Sequence, residues 1–270
     1  MLLARRNLQP LLAAAGIAAA WGLFEAQWVE FREVEVPLEG LPPELDGFTI
    51  LHLSDLHLGT VSLNGRTLER AVQWAEQTPS DVVFLTGDLL SRQRGEPRLR
   101  EALDRLRPKH GVYAVLGNHD VPAARGALGA SLLEDASVLL EVDGRRVQLV
   151  GAAPWLDWKR TRIERLADPD ADLRILLFHF PDVTQWLPPQ SYDLIVAGHL
   201  HGGQICLPLP GGGKLRFEHL RAPHWEGLHS TPAGMLHVSR GLGTSFVPFR
   251  LLARPEATKL RLRCHTGSTR

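Results

Sequence analysis

The chain has 270 residues and carries 30 basic and 30 acidic side chains, so its formal net charge is zero. This balance gives no overall positive field that would favour binding to nucleic acid. The two cysteines, Cys206 and Cys264, are too few for a disulfide framework or a zinc site built from cysteines, and we interpret both as structural. The length suits one large domain or two small ones.

The first 29 residues differ in composition from the rest of the chain. Arg5 and Arg6 precede an uncharged apolar run, Leu11–Phe24. A helix needs about 20 apolar residues to cross a bilayer, so this run is short for that purpose. Three interpretations stay open: an uncleaved membrane anchor, a cleaved export signal of the twin-arginine type, or a helix docked on the next domain. We therefore divide the chain into residues 1–29, an anchor or export signal, and residues 30–270, the main domain.

Predicted strands and helices alternate after this segment. Phe31–Pro37 alternates apolar and charged residues, which is typical of a half-exposed edge strand, and Asp143-Gly144 predicts a hairpin turn. The alternation indicates βαβ units, so we expect one α/β domain in which two sheets pack together. We predict helices at Leu63–Glu76, Glu96–Leu106, Ala123–Glu134 and Arg160–Leu166, a loop at Gly202–Gly213, and strands at Val138–Val142, Arg146–Val150, Met235–Ser239 and Thr258–Arg263.

Five apolar runs share a further feature, because each leads into residues that can bind a metal ion. The clearest is Val82–Asp88, whose apolar residues suit a strand buried on both faces and stop at a glycine and a carboxylate. Ligands of α/β sheets bind at the carboxyl ends of the strands, so five such ends predict one polynuclear metal site. The other runs are Thr49–Ser54 before Asp55 and His57, Val112–Leu116 before Asn118, Leu173–Phe178 before His179, and Leu194–Ala197 before His199 and His201.

These residue types predict two divalent cations about 3.5–4 Å apart. Such a pair needs a bridging carboxylate, for which Asp88 is the candidate, while Asn118 offers a neutral carbonyl oxygen. Because the set contains oxygen and imidazole ligands without a thiolate, it suits Mn, Fe, Zn or Mg. A water or hydroxide held between the two ions would have a lowered pKa and would attack phosphorus in line.

Other side chains near these motifs are candidates for acid catalysis and phosphate binding. His119 follows Asn118 and is not needed as a ligand, so we expect it to stabilise the phosphoryl oxygens or to protonate the leaving group. Asp120 is placed to fix the tautomer of His119. Three arginines are either phosphate contacts or ordinary solvated side chains: Arg92, Arg125 and Arg240.

The motifs resemble the five signature blocks of the calcineurin-like metallophosphoesterases, in that family's order, from Thr49 to Gln204. The resemblance implies a four-layer α/β/β/α sandwich of two mixed β-sheets flanked by helices, with His119 as the catalytic histidine. It also implies that one metal is held by Asp55, His57, Asp88 and His201. The second metal would be held by Asp88, Asn118, His179 and His199.

A narrower resemblance, to the membrane-associated bacterial branch of that family, covers the run from Gly198 to Ile205, the Pro/Gly loop after it and the apolar N-terminal segment. Leu200 stands where that branch usually has Thr. The branch includes phosphodiesterases and hydrolases of UDP-2,3-diacylglucosamine, a precursor in lipid A biosynthesis. The resemblance therefore implies a phosphorylated small-molecule or lipid substrate. It also implies association with the bacterial inner (cytoplasmic) membrane through the N-terminal segment, on a side left open.

Several aromatic and histidine side chains have two interpretations. Four aromatic residues would either line an acyl groove or pack in the core or at the rim. They are Trp155, Trp158, Phe246 and Phe249. We interpret His52 as a packed core histidine, and we interpret as surface or structural residues His110, His219, His224, His229, His237 and His265.

Two other functions stay open at this point. One is a phosphomonoesterase or protein phosphatase, which would use the same two metals on a different ester. The other is a non-catalytic cell-envelope protein that has kept its metals. The sequence predicts neither the oligomeric state nor the residues that bind the substrate.

Overall fold

The computed structural model describes residues 8–154, 163–216 and 222–265. The four helices are α1 (Leu8–Glu25), α2 (Asn64–Gln77), α3 (Glu96–Arg105) and α4 (Ala123–Leu128). The strands are β1 (Glu30–Glu39), β2 (Thr49–Leu53), β3 (Val82–Thr86), β4 (Val112–Val115), β5 (Ala136–Val142), β6 (Arg145–Gly151), β7 (Leu173–Leu177), β8 (Leu194–Ala197), β9 (Cys206–Pro208), β10 (Lys214–Arg216), β11 (Gly227–Thr231), β12 (Gly234–Val238) and β13 (Glu256–His265).

Two mixed sheets form the centre of the described chain, as predicted. The first has the strand order β1-β13-β2-β3-β4, and the second has the order β11-β12-β8-β7-β6-β5. The neighbours β2, β3 and β4 run parallel, and so do β12, β8, β7 and β6. Parallel neighbours place their carboxyl ends at one edge of a sheet, so the loops that follow them can meet.

The sheets pack face to face because the side chains of their strands alternate between two faces. In β2, Ile50 faces the core between the sheets, whereas Leu51 and Leu53 face the outer core with the helices. Val72 of α2 and Leu99 of α3 belong to that outer core. The outer face of the second sheet is covered by side chains of two 3₁₀-helices, Ile163–Leu166 and Pro181–Gln185. The predicted sandwich of two mixed sheets flanked by helices is confirmed.

Most predicted elements are confirmed within a residue or two, and the differences have local causes. Strand β1 lies at an edge, paired with β13, and Asp143 and Gly144 have positive φ angles in the hairpin turn between β5 and β6. Helix α4 is shorter than predicted because the chain at Gly129 leaves the helical region at φ +53°. The predicted loop Gly202–Gly213 contains the strand β9, and the helix predicted at Arg160–Leu166 is a 3₁₀-helix over its described part.

The predicted membrane localisation through the N-terminal segment is wrong. Within residues 8–154, 163–216 and 222–265, no helix combines the length and the apolarity needed to cross a bilayer. Helix α1 ends at Glu25, a buried carboxylate that accepts hydrogen bonds from Ala253 N at 2.9 Å and Trp21 Nε1 at 3.0 Å. Arg5 and Arg6 lie outside the described residues, so the export signal and the domain boundary stay predictions.

A pair of buried histidines lies between the sheets, below the strand ends. His52 Nδ1 is 2.9 Å from His237 Nδ1, and His52 Nε2 is 2.8 Å from Thr86 Oγ1. Both imidazoles are fully buried, which confirms His52 as a core histidine. Burial is the largest effect on both, and it lowers the pKa of His237 to about 4 and the pKa of His52 well below its usual value.

This pair predicts a pH dependence of stability. Unfolded histidine titrates near pH 6.5, so between about pH 4 and 6.5 the unfolded chain binds more protons than the folded chain. The free energy of unfolding should therefore fall as the pH falls through this window, by up to about 1.4 kcal/mol per pH unit for each histidine. Urea unfolding of wild type and His237→Gln at several pH values measures the effect. The variant should show the shallower slope, and the exposed control His265→Gln should match wild type. Parallel curves for wild type and His237→Gln would contradict the prediction.

Candidate metal centre

The predicted ligands lie in loops that follow the carboxyl ends of strands from both sheets. The first sheet supplies Asp55 and His57 after β2, Asp88 after β3 and Asn118 after β4. The second sheet supplies the others, which are His179 after β7 and the pair His199 and His201 after β8. The candidate site therefore forms where the two parallel strand edges meet.

The first group of candidate ligands is buried and consists of Asp55, His57 and His201. Each can place one ligand atom within 4.8 Å of those of the other two. His201 Nε2 lies 3.4 Å from Asp55 Oδ1 and 3.1 Å from His57 Nε2. Side chains from the first and second sheets thus point at one small volume.

The second group consists of Asp88, His179 and His199, with the same 4.8 Å limit between ligand atoms. Asn118 Oδ1 lies 3.1 Å from His179 Nε2, so the amide points into this group. Asp88 Oδ2 lies 3.4 Å from His179 Nε2 and 3.5 Å from His57 Nε2. One carboxylate oxygen therefore stands between the two groups, which is where a bridging ligand must be.

The tautomer of His179 leaves a nitrogen lone pair that can bind a cation. His179 Nδ1 is 2.8 Å from the carbonyl oxygen of Thr86, which can only accept, so Nδ1 carries the hydrogen. In the neutral ring, Nε2 then presents a lone pair to Asn118 Oδ1 and Asp88 Oδ2. Acceptors that converge without a donor repel one another, and a divalent cation removes the repulsion. The residues present therefore fit two divalent cations.

Electrostatics favour cations at the same place. Burial raises the pKa of Asp88, but His179 outweighs it and holds the pKa at about 2. Burial likewise opposes the ionised form of Asp55, yet the neighbouring His201 keeps its pKa below the usual value. Burial and the neighbouring His201 lower the pKa of His57 to about 3. At neutral pH the two carboxylates are ionised and the His57 imidazole is neutral, which is the state that binds metal.

The main chain is strained at these positions. Non-glycine residues seldom adopt positive φ, and each costs about 1–3 kcal/mol. Five of the seven predicted ligands adopt it, with φ between 44° and 74°. They are Asp55, His57, Asp88, His199 and His201.

Two glycines allow the carboxylates to approach the main chain. A Cβ atom at Gly198 would overlap Ser54 Oγ and Asp55 Oδ2, and one at Gly117 would overlap Asp88 Oδ1. The space beside each carboxylate is therefore too small for any side chain. Both glycines lie within the motifs that the sequence analysis identified.

His119 is half-buried beside the two groups, and the structure corrects the predicted role of Asp120. His119 N donates to Asp88 Oδ1 at 2.7 Å, and the His119 ring centroid lies 5.5 Å from that of His57. In the described hydrogen bonds, both Asp120 carboxylate oxygens accept from main-chain N–H groups instead of orienting the His119 ring. Asp120 thereby ties the Asp88 loop to the Gly117 turn, because its donors are Leu89, Leu90 and Gly117.

The structure places the arginines and aromatic residues that were candidate phosphate or acyl contacts in three different surroundings. Arg240 forms ion pairs with Glu256 and Glu30, and Arg125 forms one with Glu134. Arg92 and Phe246 line a cavity of about 740 Å³ that also reaches His57 and His119. Phe249 packs on α1 beside Gly22, and Trp155, Trp158 and His219 lie outside the described residues.

Three buried polar side chains hold the site loops, and the sequence motifs gave none of them a role. Arg250 is fully buried and donates to the carbonyl oxygens of Gly243, Ala253 and His201. Asn64 and Gln204 bind the loop around residue 245. No local pattern identifies an arginine or an amide as buried, since their partners are distant in sequence.

Comparison with known proteins agrees with the geometry. The model of the calcineurin-like phosphoesterase family matches residues 48–203. The chain is 30% identical to the uncharacterized metallophosphoesterase YkoQ of Bacillus subtilis (strain 168), over 82% of this chain and 85% of that relative. It is 27% identical to YkuE, an uncharacterized metallophosphoesterase of the same organism, over 93% of each chain. It is also 27% identical to phosphodiesterase YaeI of Escherichia coli (strain K12), over 97% of this chain and 100% of that relative.

The glycine beside Asp55 gives a test of the metal site. We expect Gly198→Ala to weaken binding of divalent cations about 10- to 100-fold, because the new methyl group displaces the Asp55 carboxylate. Titration with manganese, followed by metal analysis of the dialysed protein, measures the loss. Gly16→Ala is the matched control, since no heavy atom lies within 4 Å of a Cβ there. Equal manganese affinity in the two variants would contradict the proposed role of Gly198 beside Asp55.

Proposed function

The chain belongs to the calcineurin-like phosphoesterase family, and from that premise we propose that it hydrolyses phosphodiester or pyrophosphate bonds. It is a metal-dependent phosphoesterase whose cofactors are two divalent metal ions. The observation that carries the proposal is the position of Asp88 Oδ2, which lies within 3.5 Å of imidazoles from both candidate groups.

We assign the ligands from this geometry together with the family motifs. In this assignment Asp88 binds both metals, and each of the other ligands binds the metal of its own group. The first metal would be held by Asp55, His57, Asp88 and His201, and the second by Asp88, Asn118, His179 and His199. When bound, the cations supply positive charge that lowers the pKa of a water molecule and balances charge on the phosphoryl oxygens.

The protein itself positions the ester and supplies a proton. Hydrolysis forms a bond from the water oxygen to phosphorus and breaks the bond from phosphorus to the leaving oxygen, which must gain a proton. His119 is the group placed for this transfer, since its ring borders His57 and the open cavity. The hydrogen bond from His119 N to Asp88 Oδ1 fixes its main chain beside the bridging carboxylate.

The cavity supports a substrate with a group beyond the reacting phosphate. Its volume of about 740 Å³ exceeds what a phosphate alone occupies, and it extends from His119 to Arg92. Arg92 is exposed, and its guanidinium suits a second phosphate, as in a pyrophosphate. The relative named phosphodiesterase YaeI supports a diester substrate. The resemblance to the membrane-associated bacterial branch supports a narrower proposal, in which the substrate is UDP-2,3-diacylglucosamine.

Removal of the metals tests the enzyme class. We expect exhaustive chelation to abolish hydrolysis of bis(p-nitrophenyl) phosphate, and added manganese to restore it. Release of p-nitrophenolate measures the rate, and parallel assays on p-nitrophenyl phosphate separate a diesterase from a monoesterase. Hydrolysis that survives chelation would contradict metal dependence, and faster turnover of the monoester would support the phosphomonoesterase alternative.

Replacement of His119 tests the proton donor. His119→Ala should lower kcat about 10²- to 10⁴-fold for a phenyl ester, whose leaving oxygen needs the proton, and less for a p-nitrophenyl ester. Metal content should stay at the wild-type value, because His119 is not an assigned ligand. His265→Ala, at an exposed strand end, is the control. An equal loss for both esters would argue against proton donation, and an unchanged rate would exclude a catalytic role.

A further inference from the structure

Phe246 is an exposed aromatic residue held in an unfavourable main-chain conformation. The residue is 86% exposed, and its φ angle is +56°. The left-handed region is disfavoured for a residue with a bulky side chain, and Phe246 regains little by burial. Strain of this kind persists only where the surrounding structure enforces it, and it is typical of functional sites.

A single buried side chain holds the main chain on both sides of Phe246. Gln204 is 5% exposed, and its Nε2 donates to the carbonyl oxygens of Ser245 at 2.9 Å and Val247 at 3.3 Å. Its Oε1 accepts from Ser245 N at 2.9 Å. Gln204 follows His201 in the same loop, so the position of Phe246 is tied to a proposed metal ligand.

A second buried amide fixes the start of the same loop. Asn64 Oδ1 accepts from Thr244 N at 3.2 Å and from Thr244 Oγ1 at 3.1 Å. Asn64 Nδ2 donates to the carbonyl oxygen of His57 at 3.2 Å. The loop that carries Phe246 is thus anchored to the loops of His57 and His201, two residues of the first group.

The ring of Phe246 borders the proton donor. Its centroid lies 5.6 Å from that of His119, with the ring planes 83° apart. A general acid contacts the leaving oxygen, so the group attached to that oxygen must pass beside Phe246. Because most of the side chain is exposed, a face of the ring is open to the cavity.

The cavity offers both apolar and polar contacts to a planar ring. The lining combines the apolar residues Val61, Val247 and Pro248 with polar residues such as Ser62 and Arg92. A nucleobase has an apolar face for stacking and polar edges for hydroxyl and guanidinium groups.

We infer that Phe246 is a stacking platform for the leaving group, and that the preferred substrates carry a planar aromatic ring such as a nucleobase on that side of the scissile bond. The inference rests on the proposed function, because that function defines which side of the phosphate leaves. The platform sets specificity, and the chemical step does not depend on it.

Binding of leaving-group analogues tests the platform without turnover. Isothermal titration calorimetry with the manganese-loaded protein gives the Kd of adenosine 5′-monophosphate, which has a base, and of butyl phosphate, which does not. Phe246→Leu should raise the Kd of adenosine 5′-monophosphate about 10-fold and leave that of butyl phosphate within about twofold. Phe246→Tyr keeps the ring and should retain wild-type binding of both.

The matched control is Val61→Ala, because Val61 is equally exposed at 86% and lines the same cavity. It should leave both Kd values within about twofold. Equal weakening of both ligands by Phe246→Leu, or unchanged binding of adenosine 5′-monophosphate, would overturn the inference. If bis(p-nitrophenyl) phosphate is not hydrolysed while the ring-dependent binding is observed, the proposed function fails and the aromatic platform stands.

Discussion

The structure depends on electron-pair donors that are brought together at the strand ends. Oδ2 of Asp88 lies 3.5 Å from Nε2 of His57 and 3.4 Å from Nε2 of His179. Without a positive charge between them these atoms repel. The carboxylates raise the pKa of His179 to about 9 against the opposing effect of burial, so the site attracts a proton where it would bind a cation. Metal binding and the stability of these loops are therefore coupled.

Buried polar side chains, more than apolar contacts, hold the strained loops in place. Arg250 places a guanidinium among carbonyl oxygens of the loop from 240 to 253. The side-chain oxygens of Asn64, Gln204 and Asp120 accept hydrogen bonds from main-chain N–H groups of these loops. Each forms several hydrogen bonds to the main chain, and such networks are rigid only when every polar group has a partner. This rigidity lets the candidate ligands remain at positive φ and keeps the exposed ring of Phe246 beside His119.

The N-terminal helix is joined to the main domain at its C-terminal end. An apolar run after two arginines suggests an anchor, yet α1 ends at a carboxylate that the main domain binds. Gly22 O accepts from Arg250 N at 3.1 Å, so the helix is joined to the same segment that supports His201. Apolar side chains of α1, including Leu12 and Ile17, remain exposed in the described chain.

The sequence by itself determined the two sheets and which residues are candidate ligands. Continuous apolar runs that stop at Asp, Asn or His are local signals, so β3 before Asp88 and β8 before His199 could be predicted from neighbouring residues. The side chain that each residue contacts is not a local property. Asp120 binds main-chain N–H groups 30 residues away, at Leu90. Gln204 reaches Val247, 43 residues away. Only the tertiary structure decided these partners, because hydrogen bonds between distant loops depend on how the two sheets pack and leave no periodic trace in the sequence.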